Sequence, residues 1–226
     1  MLFLDEVKER YPDLENIFEV GAHRGYDLKD INEYWPDSNI YAFEADPYNY
    51  KICVENSKGL SNVEIHELAI YNQDKKMTFN RYCDIESIPD SDTLKGSNMQ
   101  FTGCGSLFKP GVGLKEIYKI PKVTEEITVS AVSLASFCQD HNINSIDAIF
   151  MDVQGAEMNV ILGCEDLIQS TKAIILEWST KYTLYDEETD FTFIKSFLES
   201  HGFKEEKRQY QLEGLNGDSL FLKQEG

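Results

Sequence analysis

The sequence predicts an α/β domain built on a mostly parallel β-sheet with helices on both faces. Short apolar runs rich in Ile, Val and Phe alternate with amphipathic segments of helix length. A glycine-containing turn, IFEVGAHRGYD at residues 17–27, joins the first apolar run to the first helical segment, as in the opening βα unit of such sheets. Consecutive βαβ units of this kind are expected to cross over right-handedly.

Five apolar runs are predicted as strands. They lie near residues 16–21, 39–45, 63–70, 146–153 and 172–178. The helix between the first two runs is predicted from three apolar residues at helical spacing and from a proline that stops it. These residues are Leu28, Ile31, Trp35 and Pro36.

The next helix has start and stop signals. Asp46 is the predicted N-cap, Pro47 occupies the first helical position, and Gly59 ends the helix. A strand near residues 125–132 then feeds a helix with Leu134, Phe137 and Cys138 on one face.

The C-terminal third predicts a helix closed by Gly202, a polar strand, a turn and a final strand. Asn216 followed by Gly217 is a strong hairpin signal, so the turn is placed there and the sheet is expected to end in an antiparallel edge.

One long segment breaks the alternation. Residues 83–113 are rich in Gly, Ser and Asp, and a loop of this length inside a compact domain is either functional or disordered. Its aromatic residues and cysteine favour function. We predict one domain over 1–226, with a short N-terminal helix in 1–15 and a substrate or lid loop at 83–122.

Composition excludes several classes of partner. Lys and Arg total 21 against 40 for Asp and Glu, a formal net charge of −19. Nucleic acids and anionic membranes are therefore disfavoured as partners, because both are bound through cationic contacts. The five cysteines include no C-x-x-C pair, and no signal or membrane-spanning segment is recognised, so a reduced cytoplasmic protein is expected. The oligomeric state is not predicted.

The glycine turn does not match a phosphate-binding motif. His23 stands where a dinucleotide fingerprint needs its second glycine, and Tyr26 follows Gly25 where a phosphate loop needs lysine. Glu19, two residues before Gly21, would repel a phosphate but can hold an ammonium group. The pattern indicates a ligand with a cationic end.

A second acid extends this prediction. Glu44 lies at the end of the second predicted strand, where a carboxylate can accept two hydrogen bonds from the cis-diol of a ribose. Its alternative role, capping the following helix, is already filled by Asp46. A ligand with both a ribose and an amino group is predicted, and S-adenosylmethionine has both.

Four blocks of the sequence carry a family resemblance. They are FEVGAHRG, YAFEADP, VSLASFCQDHNINSIDAIFMDVQGAEMNVILG and AIILEW. In their order and spacing they resemble the FkbM-type family of S-adenosylmethionine-dependent methyltransferases, over roughly residues 16–180. The most specific block is IFMDVQGAE, in which Gln154 replaces the glutamate more usual in the family and so removes one charge.

The resemblance implies a Rossmann-like class I methyltransferase fold with a seven-stranded, mostly parallel sheet and an antiparallel last strand. It also implies methyl transfer to a hydroxyl of a sugar or small secondary metabolite. The resemblance also assigns residues to the methionine part, the ribose, the adenine and the surroundings of the cofactor. Together with the alanines that adjoin them, these residues are Glu19, Gly21, Ala22, Gly25, Glu44, Ala45, Ala69 and Ser106.

Three carboxylates are candidates for the chemistry. Asp152, Glu157 and Glu177 follow the fourth and fifth strands and are expected to converge beside the methyl group. Asp152 is assigned both to catalysis and to the cofactor site. A general base that deprotonates a hydroxyl acceptor is the preferred interpretation. The alternative is a Mg²⁺ ion held by Asp152 and Glu177.

Other side chains are assigned secondary roles. His23 is a further candidate base, with turn packing or substrate contact as its alternative. The acceptor is expected to contact the loop at 83–113 together with Trp178 and Tyr182. Two further hypotheses stand beside the O-methyltransferase, namely a catalytically idle binding or scaffold protein with the same fold and a nicotinamide-dependent oxidoreductase, which His23 disfavours.

Overall fold

The computed structural model describes residues 1–82, 102–116, 125–180, 184–211 and 216–224. Its strands are β1 Asn16–Val20, β2 Asn39–Phe43, β3 Val63–His66, β4 Ala69–Ile70, β5 Lys75–Arg81, β6 Glu125–Val132, β7 Ala148–Met151, β8 Ala173–Ser179, β9 Phe203–Gln211 and β10 Asn216–Lys223. Its helices are α1 Leu4–Arg10, α2 Tyr26–Tyr34, α3 Pro47–Asn56, α4 Val112–Glu116, α5 Leu134–His141, α6 Glu157–Leu162 and α7 Phe191–Ser200. In the described parts of the chain, none of these helices has the length and apolar character needed to cross a bilayer.

Seven strands form one sheet in the order β3-β2-β1-β7-β8-β10-β9. The pairs from β3 to β8 are parallel, whereas β10 is antiparallel to both β8 and β9. This arrangement confirms the predicted α/β fold with an antiparallel last strand. Because β1 and β7 are neighbours although far apart in sequence, the order reverses at β1, and the carboxyl ends of both strands meet there.

The two faces of this sheet are covered by separate apolar clusters. Alternate residues of one strand point to opposite faces, so Ile17 joins the cluster under α1 and α2, whereas Phe18 joins the cluster under α5 and α7. Both side chains are fully buried. All five residues of β1 are buried, which explains why this strand reads as a continuous run without alternation.

The helix signals in the sequence are confirmed where they can be checked. Leu28, Ile31 and Trp35 are buried. The Asp46 side chain caps α3 by accepting a hydrogen bond from the Tyr48 amide at 2.8 Å. The apolar face predicted for α5 is also buried.

The predicted third strand, 63–70, is two strands in two sheets. Val63–His66 is the edge strand β3 of the large sheet, whereas Ala69–Ile70 is β4 in a second sheet of order β4-β6-β5. Ala69 pairs with Ala131 of β6. An apolar run indicates extended backbone but does not identify the sheet that the strand joins.

The predicted position of the hairpin turn is wrong. Asn216 and Gly217 belong to β10, where Asn216 pairs with Gln211 on one side and Ser179 on the other. A Cβ atom on Gly217 would lie 1.9 Å from the Gln209 carbonyl oxygen, so the glycine allows close strand contact. The connection between β9 and β10, residues 212–215, lies outside the described residues.

Much of the predicted substrate loop, 83–101 and 117–122, lies outside the described residues, as does Tyr182, and these assignments stay predictions. The described part, 102–116, packs beside the carboxyl ends of the strands. Ser106 exchanges backbone hydrogen bonds with Asn80 of β5, and the Gly111 amide donates to the Leu184 carbonyl at 2.7 Å. The division of the chain as a single domain also stays a prediction.

Arg81 joins the small sheet to helix α3. Its Nε donates to Asp46 at 2.7 Å, and a terminal nitrogen donates to Glu125 at 2.8 Å. We expect Arg81→Met to lower the free energy of unfolding by about 1–3 kcal/mol, because it leaves a nearly buried carboxylate without its charged donor. Urea unfolding measures the change, and Lys58→Met, which removes an exposed ion pair with Glu55, is the control and should cost less than about 1 kcal/mol. Equal losses would contradict the role of Arg81.

Candidate active site

A cavity opens at the carboxyl ends of β1, β2 and β7. The cavity has a volume of about 210 Å³. Of the residues assigned to the cofactor from the sequence, all but Gly25 and Ser106 lie in its wall. His23 also lies there, whereas Glu157 and Glu177 stand outside the wall.

Position 21 requires glycine because two chain segments approach each other closely there. Its φ is +88°, and a Cβ atom would lie 2.0 Å from the carbonyl oxygen of Asp152. The amides of Gly21 and Ala22 both donate to the Phe43 carbonyl at 2.9 Å. These two glycine-turn amides are therefore used by the protein itself and are not offered to a ligand.

Gly21→Ala is expected to destabilise the fold by about 3 kcal/mol or more, through backbone strain and the clash with Asp152. Gly59→Ala is the matched control, since Gly59 also has a positive φ, +96°, but no described atom lies within 4 Å of the place that its Cβ would occupy. Denaturant unfolding of both variants separates strain from clash. If both variants lose the same free energy, the contact with Asp152 is not the reason for the glycine.

Gly25 lies at the start of α2 and faces helix α3. Its φ is +71°, and a Cβ atom there would lie 2.9 Å from Cys53 Sγ and 3.0 Å from Ser57 Oγ. Its amide donates to the Ala22 carbonyl at 2.7 Å. Gly25 therefore permits α2 to pack on α3 and does not line the cavity.

Glu44 braces the glycine turn from the end of β2. One carboxylate oxygen accepts the His23 amide at 2.7 Å and the other accepts the Asp46 amide at 2.7 Å. Burial raises the pKa of Glu44 to about 8, although these two amide donors act against the rise. Each oxygen keeps a second lone pair, so the carboxylate can accept two further hydrogen bonds from a ligand.

Glu19 is the other acid in the cavity wall. Its side chain is 3% exposed, and within the described residues its Oε2 atom has no hydrogen-bond partner. Burial raises the pKa of Glu19 well above its ordinary value, and the charges of Asp27 and Glu44 raise it further. A buried carboxylate oxygen without a partner is costly, so this atom favours a ligand that brings a donor or a positive charge.

His23 adopts a left-handed backbone conformation, with φ of 49°. Burial and the neighbouring Arg24 lower the pKa of His23 to about 4. The imidazole is therefore neutral near pH 7 and is a weak base. This makes His23 less suited than a carboxylate to deprotonate a hydroxyl.

One part of the cavity wall is apolar. Ala45 and Ala69 line it as expected, together with Leu68, Phe79 and Leu107. This lining suits the flat face of a nucleobase.

Asp152 and Glu177 meet at the ends of β7 and β8. Asp152 lines the cavity, and its carboxyl group interacts closely with that of Glu177. Loss of surrounding water raises the pKa of both groups, although the Asp152 side chain is exposed towards the cavity. The Asp152 charge raises the pKa of Glu177 further.

Two side chains that sequence reasoning missed complete this group. The Tyr185 hydroxyl donates to the Gln154 side-chain oxygen at 2.6 Å, and the Asn216 amide donates to Glu177 at 3.4 Å. The sequence marks Gln154 only as a departure from the family pattern. Nothing in the local sequence indicates that Tyr185 contacts Gln154 or that Asn216 contacts Glu177.

Glu157 does not converge with the other two carboxylates at the cavity. Its Oε1 accepts the amides of Val153 at 3.1 Å and Gly155 at 3.3 Å, and its side chain is 2% exposed. It therefore braces the turn that carries Asp152. The alternative interpretation, an acid at a helix start, fits this position.

Glu157 gives a pH prediction. Burial raises its pKa from 4.5 to about 8, so between these values the folded protein holds a proton that the unfolded chain releases. The free energy of unfolding should fall as pH rises through this window. The melting temperature should fall between pH 5 and pH 8, and the fall should be several degrees smaller in Glu157→Gln than in the parent protein. In Glu9→Gln, which changes an exposed side chain, the fall should equal that of the parent. A fall of the same size in Glu157→Gln would refute the assignment.

Two other predicted site residues are structural. Ser106 donates through Oγ to the Gln154 carbonyl at 2.7 Å and accepts the Phe108 amide at 2.9 Å. Trp178 is 2% exposed and stacks on Phe191 with ring centroids 4.7 Å apart. Neither side chain lines the cavity.

The residues around Asp152 and Glu177 do not fit a bridging Mg²⁺ ion. Within the described ranges, no group of three or more His, Cys, Asp or Glu side chains is placed to hold a metal. The Gln154 Nε2 atom donates to Asp152 and, at 2.9 Å, to Glu177. Donor hydrogens thus point at the oxygens that would have to face a cation.

Comparison with known proteins adds a family match. Residues 19–205 match the model described as the methyltransferase FkbM domain. The 2-O-methyltransferase NoeI of Sinorhizobium fredii (strain NBRC 101917 / NGR234) is 29% identical over 184 residues, covering 81% of this chain and 71% of that protein. Methyltransferase 1 of Beauveria bassiana (strain ARSEF 2860) is 26% identical over 211 residues, covering 89% and 78%.

Among solved structures, the N-terminal domain of EvdMO1 with SAH bound has a TM-score of 0.50 at 12% identity. The similarity covers 97% of this chain and 78% of that chain. It extends the likeness in fold to a solved structure.

Proposed function

The chain belongs to the FkbM family of S-adenosylmethionine-dependent methyltransferases, and we propose that it methylates a hydroxyl oxygen on a sugar or another small metabolite. The observation that carries this proposal is the Asp152 side chain, which lines the cavity and is exposed towards it. Such a group can take the proton that a hydroxyl must lose. The relative named 2-O-methyltransferase supports transfer to oxygen.

The described residues fit the methyl donor. We assign the ammonium group to Glu19, whose buried Oε2 has no partner among the described residues, and the ribose diol to Glu44. The nucleobase is assigned to the apolar wall that contains Ala45 and Ala69. When bound, S-adenosylmethionine supplies an electrophilic methyl group on a sulfonium.

The chain's own contribution to the reaction is positioning and proton transfer. Asp152 accepts the proton of the acceptor hydroxyl through its carboxylate, and Gln154 holds that carboxylate beside Glu177. Loss of surrounding water raises the pKa of Asp152, although its side chain is exposed towards the cavity, and a raised pKa makes the carboxylate a better base. His23, with its pKa lowered to about 4, holds Glu44 through its amide and is not assigned the base role.

A two-stage experiment tests the function. Thermal-shift titration with S-adenosylmethionine, S-adenosylhomocysteine and NAD should raise the melting temperature with the first two alone. A panel of sugars, polyols, phenols, amines and thiols is then incubated with S-adenosylmethionine, and S-adenosylhomocysteine formation is quantified. Transfer confined to hydroxyl compounds is the expected result. Transfer to amines or thiols alone would refute O-methylation, and binding without transfer across the panel would favour the idle-fold hypothesis.

A further inference from the structure

We propose that Gln154 is a positioning residue that holds the carboxyl groups of Asp152 and Glu177 side by side and, with its own N–H groups, keeps a divalent cation from bridging them. This inference rests on the proposed function, because Asp152 is the base of that reaction. It goes beyond that function by assigning a role to a residue of the cavity wall that is neither the base nor a ligand of the methyl donor in the proposed function.

The side chain of Gln154 is hydrogen-bonded at both ends. Its Nε2 atom has two hydrogens and two carboxyl partners, Asp152 Oδ1 and Glu177 Oε2, the latter at 2.9 Å. Its Oε1 atom accepts from the Tyr185 hydroxyl at 2.6 Å. Both N–H donors of the amide are therefore used, and its oxygen has a partner.

These partners favour one orientation of the amide. The Tyr185 hydroxyl lies 2.6 Å from the Gln154 side-chain oxygen and 3.0 Å from the Cys104 carbonyl oxygen, and its one hydrogen is available to both acceptors. The reversed amide would place its carbonyl oxygen, in place of the N–H groups, against the carboxyl oxygens of Asp152 and Glu177.

The backbone holds Gln154 in place from two sides. Gln154 has a φ of 55°, and Gly155 has a φ of +101° with room only for hydrogen, since a Cβ atom would lie 3.0 Å from the Tyr185 ring. The Gln154 carbonyl accepts from Ser106 Oγ at 2.7 Å. A non-glycine residue in this conformation is strained, and such strain persists where the surroundings impose it.

Tyr185 is itself fixed by a neighbouring turn. The amides of Leu184 and Tyr185 donate to Glu188 at 2.7 and 3.1 Å. The side chain of Tyr185 is 1% exposed. The partner that orients Gln154 is therefore rigid, which keeps the carboxylates in one arrangement.

The charge of the group argues against a cation. Gln154 is neutral, so it adds no negative charge to the two carboxyl groups. Mg²⁺ and similar hard cations bind oxygen ligands, and here an NH₂ group faces both carboxyl groups. A glutamate at position 154 would instead present a third carboxylate to the same point. The titratable residues that act on the pair from neighbouring elements are Asp27, Glu44, Cys104, Glu157, Tyr185 and Asp218.

Binding of Mn²⁺ alone tests the exclusion of a cation. Metal-free protein is titrated with Mn²⁺ and followed by electron paramagnetic resonance, comparing the parent protein, Asp152→Asn, Gln154→Glu and the double variant Gln154→Glu with Glu177→Gln. We expect at least about tenfold tighter binding in Gln154→Glu than in the parent, and loss of the gain in the double variant. A parent site that is lost in Asp152→Asn, or no gain in Gln154→Glu, would overturn the exclusion.

The positioning role is tested with an acceptor from the hydroxyl panel. Gln154→Met keeps the size of the side chain and removes its hydrogen bonds, so kcat should fall about 10- to 100-fold, KM for S-adenosylmethionine should stay within about twofold, and the pH midpoint of kcat should shift. A lower melting temperature with unchanged kcat and pH midpoint would show a structural role only and refute positioning. If no panel member is methylated, the proposed function fails, while the Mn²⁺ titration still decides the cation inference.

Discussion

Replacing Asp152 with asparagine is expected to lower the rate of methyl transfer by about 10²- to 10⁴-fold, the range for loss of a general base. Asparagine keeps the size of the side chain and an oxygen for the Gln154 donor, but it cannot take a proton. Because Asp152 is assigned the proton of the acceptor rather than the main contacts to the methyl donor, binding of S-adenosylmethionine should stay within a few-fold of the parent. Formation of S-adenosylhomocysteine measures the rate, and isothermal titration calorimetry measures the binding.

Asp166→Asn is the matched control for this variant. Asp166 is an exposed aspartate in the short 3-10 turn after α6 and lies outside the cavity wall. It should retain the parent rate. An Asp152→Asn enzyme as fast as the parent would remove Asp152 from the role of base and leave the proton to another acceptor.

Replacing Glu44 with alanine is expected to weaken binding of S-adenosylmethionine by about 10- to 100-fold. Loss of hydrogen bonds to a charged group costs about 1.5–3 kcal/mol each, and every 1.4 kcal/mol is tenfold in affinity. The variant also removes the acceptor of the His23 and Asp46 amides, so the glycine turn loses its brace. Calorimetry measures the affinity, and circular dichroism confirms that the protein measured is folded.

Glu44→Gln separates the proposed ribose contact of this side chain from its role in bracing the glycine turn. The amide keeps one oxygen and nearly the same shape but replaces the other acceptor with a donor. Its affinity should fall between those of the parent and Glu44→Ala. If Glu44→Ala and Asp152→Asn lose S-adenosylmethionine affinity equally, the division into a ribose contact and a base is wrong.

Part of the site could be predicted because parallel strands end at the same edge of a sheet. Glu19 lies near the end of β1 and Glu44 directly follows β2, and the register of these paired strands brings both into one cavity wall. Gly21 lies in that wall as predicted, but for a different reason. Its missing side chain makes room for the Asp152 carbonyl, which belongs to a strand that lies far away in the sequence.

Other parts depended on contacts between distant segments. Glu157 carries the same chemistry as Asp152 and follows it closely, yet it turns inward to accept the backbone amides of its own turn. Asn216, expected in a hairpin turn, lies in a strand beside Glu177. Residue type and spacing do not distinguish these outcomes, because each was decided by partners from other elements.

The sequence by itself determined the α/β architecture, the N-cap of α3 and the two acids, Glu19 and Glu44, that line the cavity. These features depend on local periodicity, on capping chemistry and on the regular meeting of strand ends. Only the tertiary structure decided that Gln154 donates to both Asp152 and Glu177, that Tyr185 contacts Gln154, and that residues 63–70 divide between two sheets. Hydrogen-bond partners and burial are properties of the packed chain, and they determine which carboxyl groups line the cavity and which brace the backbone.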